Sequence, residues 1–310
     1  MRKKIKKILI IGGTGFIGTN LIKYLKKKNY NIICASRRKI KKYPDLKNIK
    51  YIKADISKKK DILTKLDGNV DVVVNLSSTF NNYYNSCKNL INFFLKKKIE
   101  KFIQIGSAAE YGDLKIPHRE TLKCRPKSFY GKVKLKTSSY VINKTKNLST
   151  SGIVLRLFQI YGKNQKQNKI ISYIVKNIKK NKKFKIRSAN STRDFCHIDD
   201  IVEALYLAIK DRKIKRGIFN VASGRSISVK SLVKLIQSKI GNGKPFFINE
   251  DKKDEILHSK ASIDLIKNKL GWKSKINIDK GLNNAEAPNP VDSSISCAIP
   301  RIATPVPTPR

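Results

Sequence analysis

Short apolar runs alternate with longer segments of helical period in the first half of the chain. The runs are rich in β-branched residues and do not alternate between apolar and polar positions. They are Ile8 to Ile11, Asn31 to Ala35, Tyr51 to Ala54, Val70 to Asn75, Phe102 to Gly106 and Gly152 to Leu157. Such runs predict strands buried on both faces, and helix-length spacers favour a parallel sheet. The pattern therefore predicts an α/β fold with a doubly wound parallel sheet.

The pattern changes after Gly162. An irregular Lys-, Asn- and Gln-rich stretch precedes a helix candidate, Ile170 to Ile178, and only short elements follow between Ser226 and Leu282. In an open α/β sheet, insertions beyond the strand ends shape the substrate site. We therefore predict a nucleotide-binding domain over 1–162, to which 193–225 returns, and a smaller C-terminal substrate-binding lobe made of 163–192 and 226–284.

The segment 285–310 differs in composition from the rest of the chain. It contains six of the ten prolines and no lysine. Repeated proline without apolar periodicity cannot form a packed core, so we predict a disordered tail. A segment foreign to the fold would have the same composition.

The chain is strongly basic, with 68 Lys and Arg against 22 Asp and Glu and a net charge of +46. The lysines are scattered along the chain and do not alternate with aromatic residues as in nucleic-acid-binding stripes. We therefore expect no specific nucleic-acid partner. Phosphate-bearing substrates suit this charge better.

Cysteine usage and hydropathy indicate a cytoplasmic protein. The five cysteines form no C-x-x-C pair and are odd in number, so neither a disulfide framework nor a zinc site is expected. The apolar run after the basic N-terminus is four residues long, and none approaches 18 residues. We expect no metal and no membrane association.

A glycine-rich turn follows the first predicted strand. Gly12, Gly15 and Gly18 give G-x-x-G-x-x-G where an amphipathic helix begins. Such a turn lets the backbone approach a pyrophosphate, which the helix N-terminus then binds. The sequence predicts a Rossmann dinucleotide site, with the remaining contacts from Thr14, Phe16 and Ile17.

The end of the second predicted strand bears on the choice of cofactor. NAD-binding chains usually place an acidic residue there, whereas this chain has Ser36, Arg37 and Arg38. A carboxylate would repel a 2′-phosphate, and guanidinium groups can pair with it. NADP(H) is therefore favoured, and NAD(H) stays possible.

A Tyr-x-x-x-Lys pair, Tyr130 and Lys134, follows the fifth predicted strand. On a helix this spacing places the phenol and the ammonium one turn apart on the same face. The lysine then lowers the pKa of the tyrosine, which can donate and accept a proton. Ser107, at the end of the preceding strand, is predicted to lie at the same sheet edge.

The chain resembles the extended short-chain dehydrogenases/reductases, specifically the NAD-dependent epimerase/dehydratase family, which acts on nucleotide sugars. The resemblance covers about residues 5 to 284 and depends on motifs in a fixed order. The motifs are Gly12 to Gly18, Ala54 to Ile56, Asn75 to Ser78, Ser107 to Gly112, Tyr130 to Lys134, Leu155 to Gly162, Arg193 to Asp200, Asn220 to Gly224 and Leu270 to Trp272.

The resemblance assigns roles to individual residues. Tyr130 would be the general acid/base, Lys134 would hold the nicotinamide ribose, and Ser107 would bind the reacting sugar oxygen. For the cofactor it implies contacts from Asp55, Ile56, Asn75 and Ser77. For the substrate it implies Arg193 as the cation that binds the diphosphate, and Ser107, Tyr130 and Gln159 as further contacts.

Departures from the family pattern narrow the activity. Sugar 4,6-dehydratases have an Asp-Glu pair where this chain has Ala108 and Ala109, and epimerase-reductases use a cysteine at the position of Ala109. Neither dehydration nor that bifunctional chemistry is expected. Gln159 replaces the usual Asn and Lys163 the usual Pro, which leaves the substrate-phosphate contacts open.

Two activities fit the remaining residues: an NADPH-dependent reductase of a 4-keto nucleotide sugar, and a C4 epimerase similar to UDP-glucose 4-epimerase. The segment Ser36 to Arg38 favours the reductase. A non-catalytic member that binds nucleotide or RNA is a third alternative, which Ser107, Tyr130 and Lys134 argue against. The resemblance also implies a homodimer.

Overall fold

The computed structural model describes residues 7–37, 49–66, 68–77, 82–241, 243–248 and 256–283. Three features of the sequence lie outside these residues: Arg38, Ser78 and the segment 285–310. The elements below belong to the described part of the chain.

The six predicted apolar runs lie in strands of a seven-stranded sheet, and the seventh strand, Arg216–Val221, was not among the predicted runs. The remaining strands of the described residues form two-stranded sheets. In chain order the strands are β1 (Lys7–Ile11), β2 (Asn31–Ser36), β3 (Lys50–Lys53), β4 (Val72–Asn75), β5 (Lys101–Ser107), β6 (Ser151–Leu157), β7 (Gln159–Tyr161), β8 (Lys183–Arg187), β9 (Thr192–Arg193), β10 (Phe195–His197), β11 (Arg216–Val221), β12 (Ile227–Ser228) and β13 (Lys244–Ile248). The large sheet has the order β11-β6-β5-β4-β1-β2-β3, and its pairs are parallel. The strand order reverses between β1 and β4, where open α/β sheets form their ligand crevice.

Helices lie between the strands and after the last of them. They are α1 (Phe16–Lys26), α2 (Lys59–Lys65), α3 (Tyr83–Lys96), α4 (Phe129–Lys144), α5 (Ile170–Lys179), α6 (Ile198–Lys210), α7 (Val229–Ile240), α8 (Asp264–Leu270) and α9 (Ile278–Asn283). A short 3₁₀ helix, Ala108–Glu110, follows β5. The doubly wound α/β fold predicted from the sequence is confirmed.

The first strand shows why its sequence lacks polar alternation. Ile8 and Ile10 pack in one hydrophobic cluster with residues of α1 and α6, whereas Leu9 and Ile11 pack in another with residues of α2 and α3. Both faces of β1 are therefore covered. Each fully buried Ile or Leu contributes roughly 1.5–3 kcal/mol to stability, which favours this register over a one-residue slip.

A third hydrophobic cluster involves later elements. It joins α5, β8, α7 and α9, and it includes Tyr161 and Phe195. Trp272, although it falls within the predicted lobe segment 226–284, packs in the cluster of α1 and α6, and its indole N–H donates to Asp200 O at 3.0 Å. The predicted domain boundaries stay a prediction.

Within the described ranges, no helix combines the length and the apolar character that crossing a membrane requires. Four cysteines of these ranges, Cys34, Cys87, Cys124 and Cys196, are free. The same ranges contain no group of three His, Cys, Asp or Glu residues that could hold a metal ion.

Candidate active site

The glycine turn after β1 has the shape that a dinucleotide pyrophosphate requires. Gly12 has a φ of +78°, which favours glycine, and its N–H donates to Ala35 O at 2.7 Å. A Cβ on Gly18 would lie 2.5 Å from Gly13 Cα, so α1 packs directly on the turn. Among the described residues, a Cβ on Gly15 would meet only Gly12 O within 4 Å, and Gly15 is exposed beside the start of α1, where a helix can bind an anion.

The end of β2 lies beside this turn. Thr14 Oγ1 and Ser36 Oγ are hydrogen-bonded at 2.5 Å, and Arg37 is exposed. After β3, the carboxylate of Asp55 accepts hydrogen bonds from Ser57, and Ile56 is buried. Two predicted cofactor residues, Thr14 in the turn after β1 and Ser36 at the end of β2, are thus brought together.

At the end of β4, the predicted cofactor residues Asn75 and Ser77 form a buried pair. Ser77 Oγ donates to Asn75 Oδ1 at 2.6 Å, and Asn75 Nδ2 donates to Gln104 Oε1 at 2.9 Å. Asn75 is fully buried, and its side chain lies between β4 and β5. Its contacts position Ser77 and the backbone at the end of β4.

Tyr130 lies in the first turn of α4, which Ser128 caps by accepting a hydrogen bond from Gly131 N at 3.1 Å. A Cβ on Gly131 would lie 2.3 Å from Ala109 O, so glycine lets α4 approach the 3₁₀ helix closely. The Ser107 side chain lies close enough to the Tyr130 phenol to lower the pKa of that phenol. The structure therefore brings the predicted acid/base and the predicted oxygen-binding serine together.

The pKa of Tyr130 depends on this environment. The Tyr-x-x-x-Lys spacing predicted a lowered pKa, but desolvation of the phenol raises the pKa above its ordinary value, although the residue as a whole is 36% exposed. The Ser107 side chain opposes that rise. In this structure the phenol therefore holds its proton at neutral pH. That is the state a proton donor requires.

Lys134 lies one turn after Tyr130, as its spacing predicts. Its Nζ is 5.8 Å from the centroid of the Tyr130 ring, and it donates to Ile105 O at 3.0 Å. The residue is only 4% exposed, and burial lowers the pKa of its ammonium group. An ammonium in this position stabilises a phenolate that forms on Tyr130.

Glu110 is a residue of this site that the sequence analysis did not single out. Its Oε1 accepts hydrogen bonds from Ser107 N and from Ser138 Oγ, both at 2.9 Å, and its Oε2 accepts from Arg156 Nε at 2.8 Å. The carboxylate is fully buried and faces away from solvent. The sequence contains a signal for Glu110, because Ser107 and Glu110 have the S-x-x-E spacing of a capping box, which they form in the structure.

Two of the predicted substrate residues, Gln159 and Arg193, lie on short strands. Gln159 in β7 is exposed and pairs in register with Phe195. Arg193 in β9 is half-buried, and its Nη1 donates to Thr192 O and Leu257 O, both at 2.9 Å. Gln159 N also donates to the backbone oxygen of Asp194, the residue after Arg193, so Gln159 and Arg193 lie close together in the fold.

Two histidines, His118 and His197, are buried, and their rings contact aromatic side chains. His197 caps α6 by accepting from Asp199 N, and its ring lies against Tyr161 with centroids 5.1 Å apart. His118 stacks on Tyr111 with centroids 4.8 Å apart. Burial lowers the pKa of both rings.

A parallel sheet in this order, with a glycine turn after its first strand, defines a Rossmann-type dinucleotide-binding protein. The chain belongs to the NAD dependent epimerase/dehydratase family, because the model of that family matches residues 8–222. The family and the enzyme class predicted from the motifs are thereby confirmed.

Similar proteins align with about nine-tenths of the chain. CDP-abequose synthase of Salmonella muenchen is 28% identical over 321 residues, which cover 89% of this chain and 96% of that protein. The dTDP-4-dehydro-6-deoxyglucose reductase of Escherichia coli is 26% identical over 311 residues, which cover 89% and 95%. Among solved structures, MoeE5 in complex with UDP-glucuronic acid and NAD has a TM-score of 0.81 at 20% identity, covering 90% of this chain and 97% of MoeE5.

Proposed function

We propose that this enzyme is an NADPH-dependent reductase of a 4-keto nucleotide sugar. The observation that carries the proposal is a group of three polar side chains near the end of β5, namely Ser107, Tyr130 and Lys134. Tyr130 is the proton donor of this group, and Ser107 and Lys134 stabilise the charges that form during the reaction. Ala108 and Ala109 supply no acid or base, and the carboxylate of Glu110 is buried in an ion pair. Such a set suits addition of hydrogen to a carbonyl, whereas elimination of water needs a second acid/base pair.

In the proposed reaction, Tyr130 donates its phenolic proton to the carbonyl oxygen as that oxygen gains negative charge. The bound nicotinamide supplies the hydride that reduces the carbon. Ser107 Oγ already accepts a hydrogen bond from Ala109 N at 3.2 Å, which fixes its orientation and leaves its own O–H to donate to the same oxygen. Lys134 stabilises the phenolate that remains on Tyr130.

The choice of NADPH depends on the end of β2. Ser36 and the exposed Arg37 occupy the position where an acidic residue would bind an unphosphorylated ribose. A guanidinium in this position pairs with a 2′-phosphate. The nucleotide-sugar substrate is supported by the two relatives named above, and Arg193 is the proposed cation for its diphosphate.

A C4 epimerase is the second candidate. It would use the same Ser107, Tyr130 and Lys134, since it oxidises and then reduces one carbon with a retained cofactor. The 26% identity over 297 residues to a putative UDP-glucose 4-epimerase of Methanocaldococcus jannaschii favours this candidate. The position of Arg37 favours the reductase.

One experiment separates these activities. The purified protein is incubated with 4-keto-6-deoxy sugars linked to CDP, dTDP, UDP and GDP, and the consumption of NADPH and of NADH is followed by nicotinamide absorbance. The reductase predicts consumption that matches the alcohol formed, with NADPH preferred. Isomerisation of UDP-glucose without net consumption of cofactor would establish the epimerase instead. Salt-sensitive RNA binding without turnover of any sugar would contradict both.

A further inference from the structure

The ammonium group of Lys134 has a second hydrogen-bond partner inside the fold. Besides Ile105 O, it donates to the phenol oxygen of Tyr83 at 2.9 Å. Both residues are 4% exposed. In such a dry environment, a hydrogen bond from a charged donor is stronger than a neutral one and holds its geometry firmly.

Tyr83 is the first residue of α3, whereas Lys134 lies on α4. The hydroxyl of Tyr83 donates to Ser77 O at 3.1 Å, so its single proton is directed toward the end of β4. Its oxygen accepts from Lys134 and, at 3.3 Å, from Gln104 Nε2. With one bond donated and two accepted, this hydroxyl is fully satisfied and presents lone pairs to the ammonium.

The ring of Tyr83 also contacts the charge. Lys134 Nζ lies 4.7 Å from the centroid of the Tyr83 ring, within the range of a cation–π interaction. Gln104 in turn accepts a hydrogen bond from Asn75, which holds Ser77. A continuous set of buried hydrogen bonds therefore joins the predicted cofactor residues after β4 to the predicted catalytic lysine.

We propose that Tyr83 is a positioning residue, which fixes the Lys134 ammonium at the carboxyl edge of the sheet and favours its charged form. The Lys134 ammonium donates to Tyr83 Oη and to Ile105 O. If the phenol oxygen is removed, only Ile105 O of these two acceptors remains. The four-carbon side chain of Lys134 would then adopt other rotamers. The inference rests on the proposed function, in which Lys134 stabilises the phenolate of Tyr130, and on the predicted contact of Lys134 with the nicotinamide ribose.

The test replaces Tyr83→Phe, which preserves the ring and removes the oxygen. The matched control is Tyr140→Phe, because Tyr140 Oη joins the same two helices by donating to Asn92 Oδ1 at 2.7 Å. Calorimetry gives the dissociation constants of NADPH and NADH. We expect Tyr83→Phe to weaken binding of the preferred dinucleotide and to lower kcat, each by roughly tenfold. The control should change either value by less than about twofold.

The pH profile gives a readout that a purely structural role would not move. The titratable groups that act on Lys134 are Tyr83 and Cys87 from α3, Glu110 from the 3₁₀ helix and Tyr130 from α4. Loss of an acceptor favours the neutral amine. In Tyr83→Phe, the alkaline limb of kcat should therefore move to lower pH, while Tyr140→Phe should keep the wild-type limb.

Lys134→Met separates this inference from the proposed function. If that variant binds dinucleotide and turns over like wild type, the proposed role of Lys134 is wrong and the inference fails with it. If Lys134→Met is impaired but Tyr83→Phe behaves like Tyr140→Phe, only the inference is overturned.

A double variant decides the case in which Tyr83→Phe melts well below wild type. If Tyr83 acts through Lys134, adding Tyr83→Phe to Lys134→Met should leave the dinucleotide dissociation constant within about twofold of the single Lys134 variant. A further loss of about tenfold would show an independent structural effect and would contradict the proposal.

Discussion

Glu110 and Arg156 form a buried ion pair beneath Ser107, with 2.8 Å between Oε2 and Nε. Glu110 is 0% exposed and Arg156 is 2% exposed. The other carboxylate oxygen holds the backbone N–H of Ser107. The pair therefore supports the chain segment from which the Ser107 hydroxyl projects.

Glu110→Gln should destabilise the protein strongly. The amide can keep an acceptor near Ser107 N, but the guanidinium of Arg156 is left buried without its counter-charge, at a cost of about 3–5 kcal/mol. Urea unfolding measures this loss. The surface pair Glu100 and Arg212, 3.8 Å apart, provides the control, because Glu100→Gln should change stability by less than about 1 kcal/mol.

Adding Arg156→Met to Glu110→Gln should recover part of this stability, because the uncompensated charge is then removed. Equal losses in Glu110→Gln and Glu100→Gln would show that the buried pair contributes nothing beyond a surface pair.

Tyr130→Phe should abolish turnover and leave cofactor binding unchanged. The variant keeps the ring but removes the proton donor, so kcat should fall by about 10²-fold or more. The dissociation constant of NADPH should stay within about twofold of wild type, because the proton acts on the substrate oxygen. Tyr206→Phe is the control, since Tyr206 packs against Tyr24 in the cluster of α1 and α6. A Tyr130 variant with wild-type kcat would exclude Tyr130 as the acid.

The sequence predicted the sheet and the Tyr-Lys pair because both signals are local. A strand that is buried on both faces can be recognised from the apolar pattern of its own five or six residues. Tyr130 and Lys134 can be recognised as a pair because they lie one helical turn apart. The contacts of Glu110 with Arg156 and of Tyr83 with Lys134 join residues 46 and 51 positions apart in the chain. The first contact is fixed by the pairing of β5 with β6, and the second by the packing of α3 against α4. No short sequence pattern records either of them.

Arg37→Asp should reverse the preference between the two dinucleotides. The new carboxylate would repel a 2′-phosphate and could accept a hydrogen bond from an unphosphorylated ribose. We expect kcat/KM with NADPH to fall by roughly tenfold or more and kcat/KM with NADH to rise. Arg216→Asp is the control, because this exposed arginine begins β11 at the opposite, amino edge of the sheet. An unchanged NADPH preference in Arg37→Asp would contradict the proposed cofactor.

Stability should decrease as the pH falls below about 6.5, partly because of His118. The His118 ring is fully buried, its Nε2 lies 3.2 Å from Leu114 O, and its Nδ1 has no hydrogen-bond partner among the described residues. Burial lowers the pKa of His118 from its ordinary value of 6.5. Below that value the unfolded chain binds a proton that the folded chain does not, so the free energy of unfolding falls with pH.

His118→Phe should reduce this dependence, because a phenyl ring can keep the stack on Tyr111 and does not titrate. Urea unfolding at about pH 7 and about pH 5 gives the two free energies to be compared for each protein. His197, whose pKa burial also lowers, accounts for part of the decrease that remains. His258→Gln is the control, because His258 is exposed, and it should lose as much stability as wild type over this range. If His118→Phe also loses as much as wild type, His118 does not titrate with folding, and another group must cause the decrease.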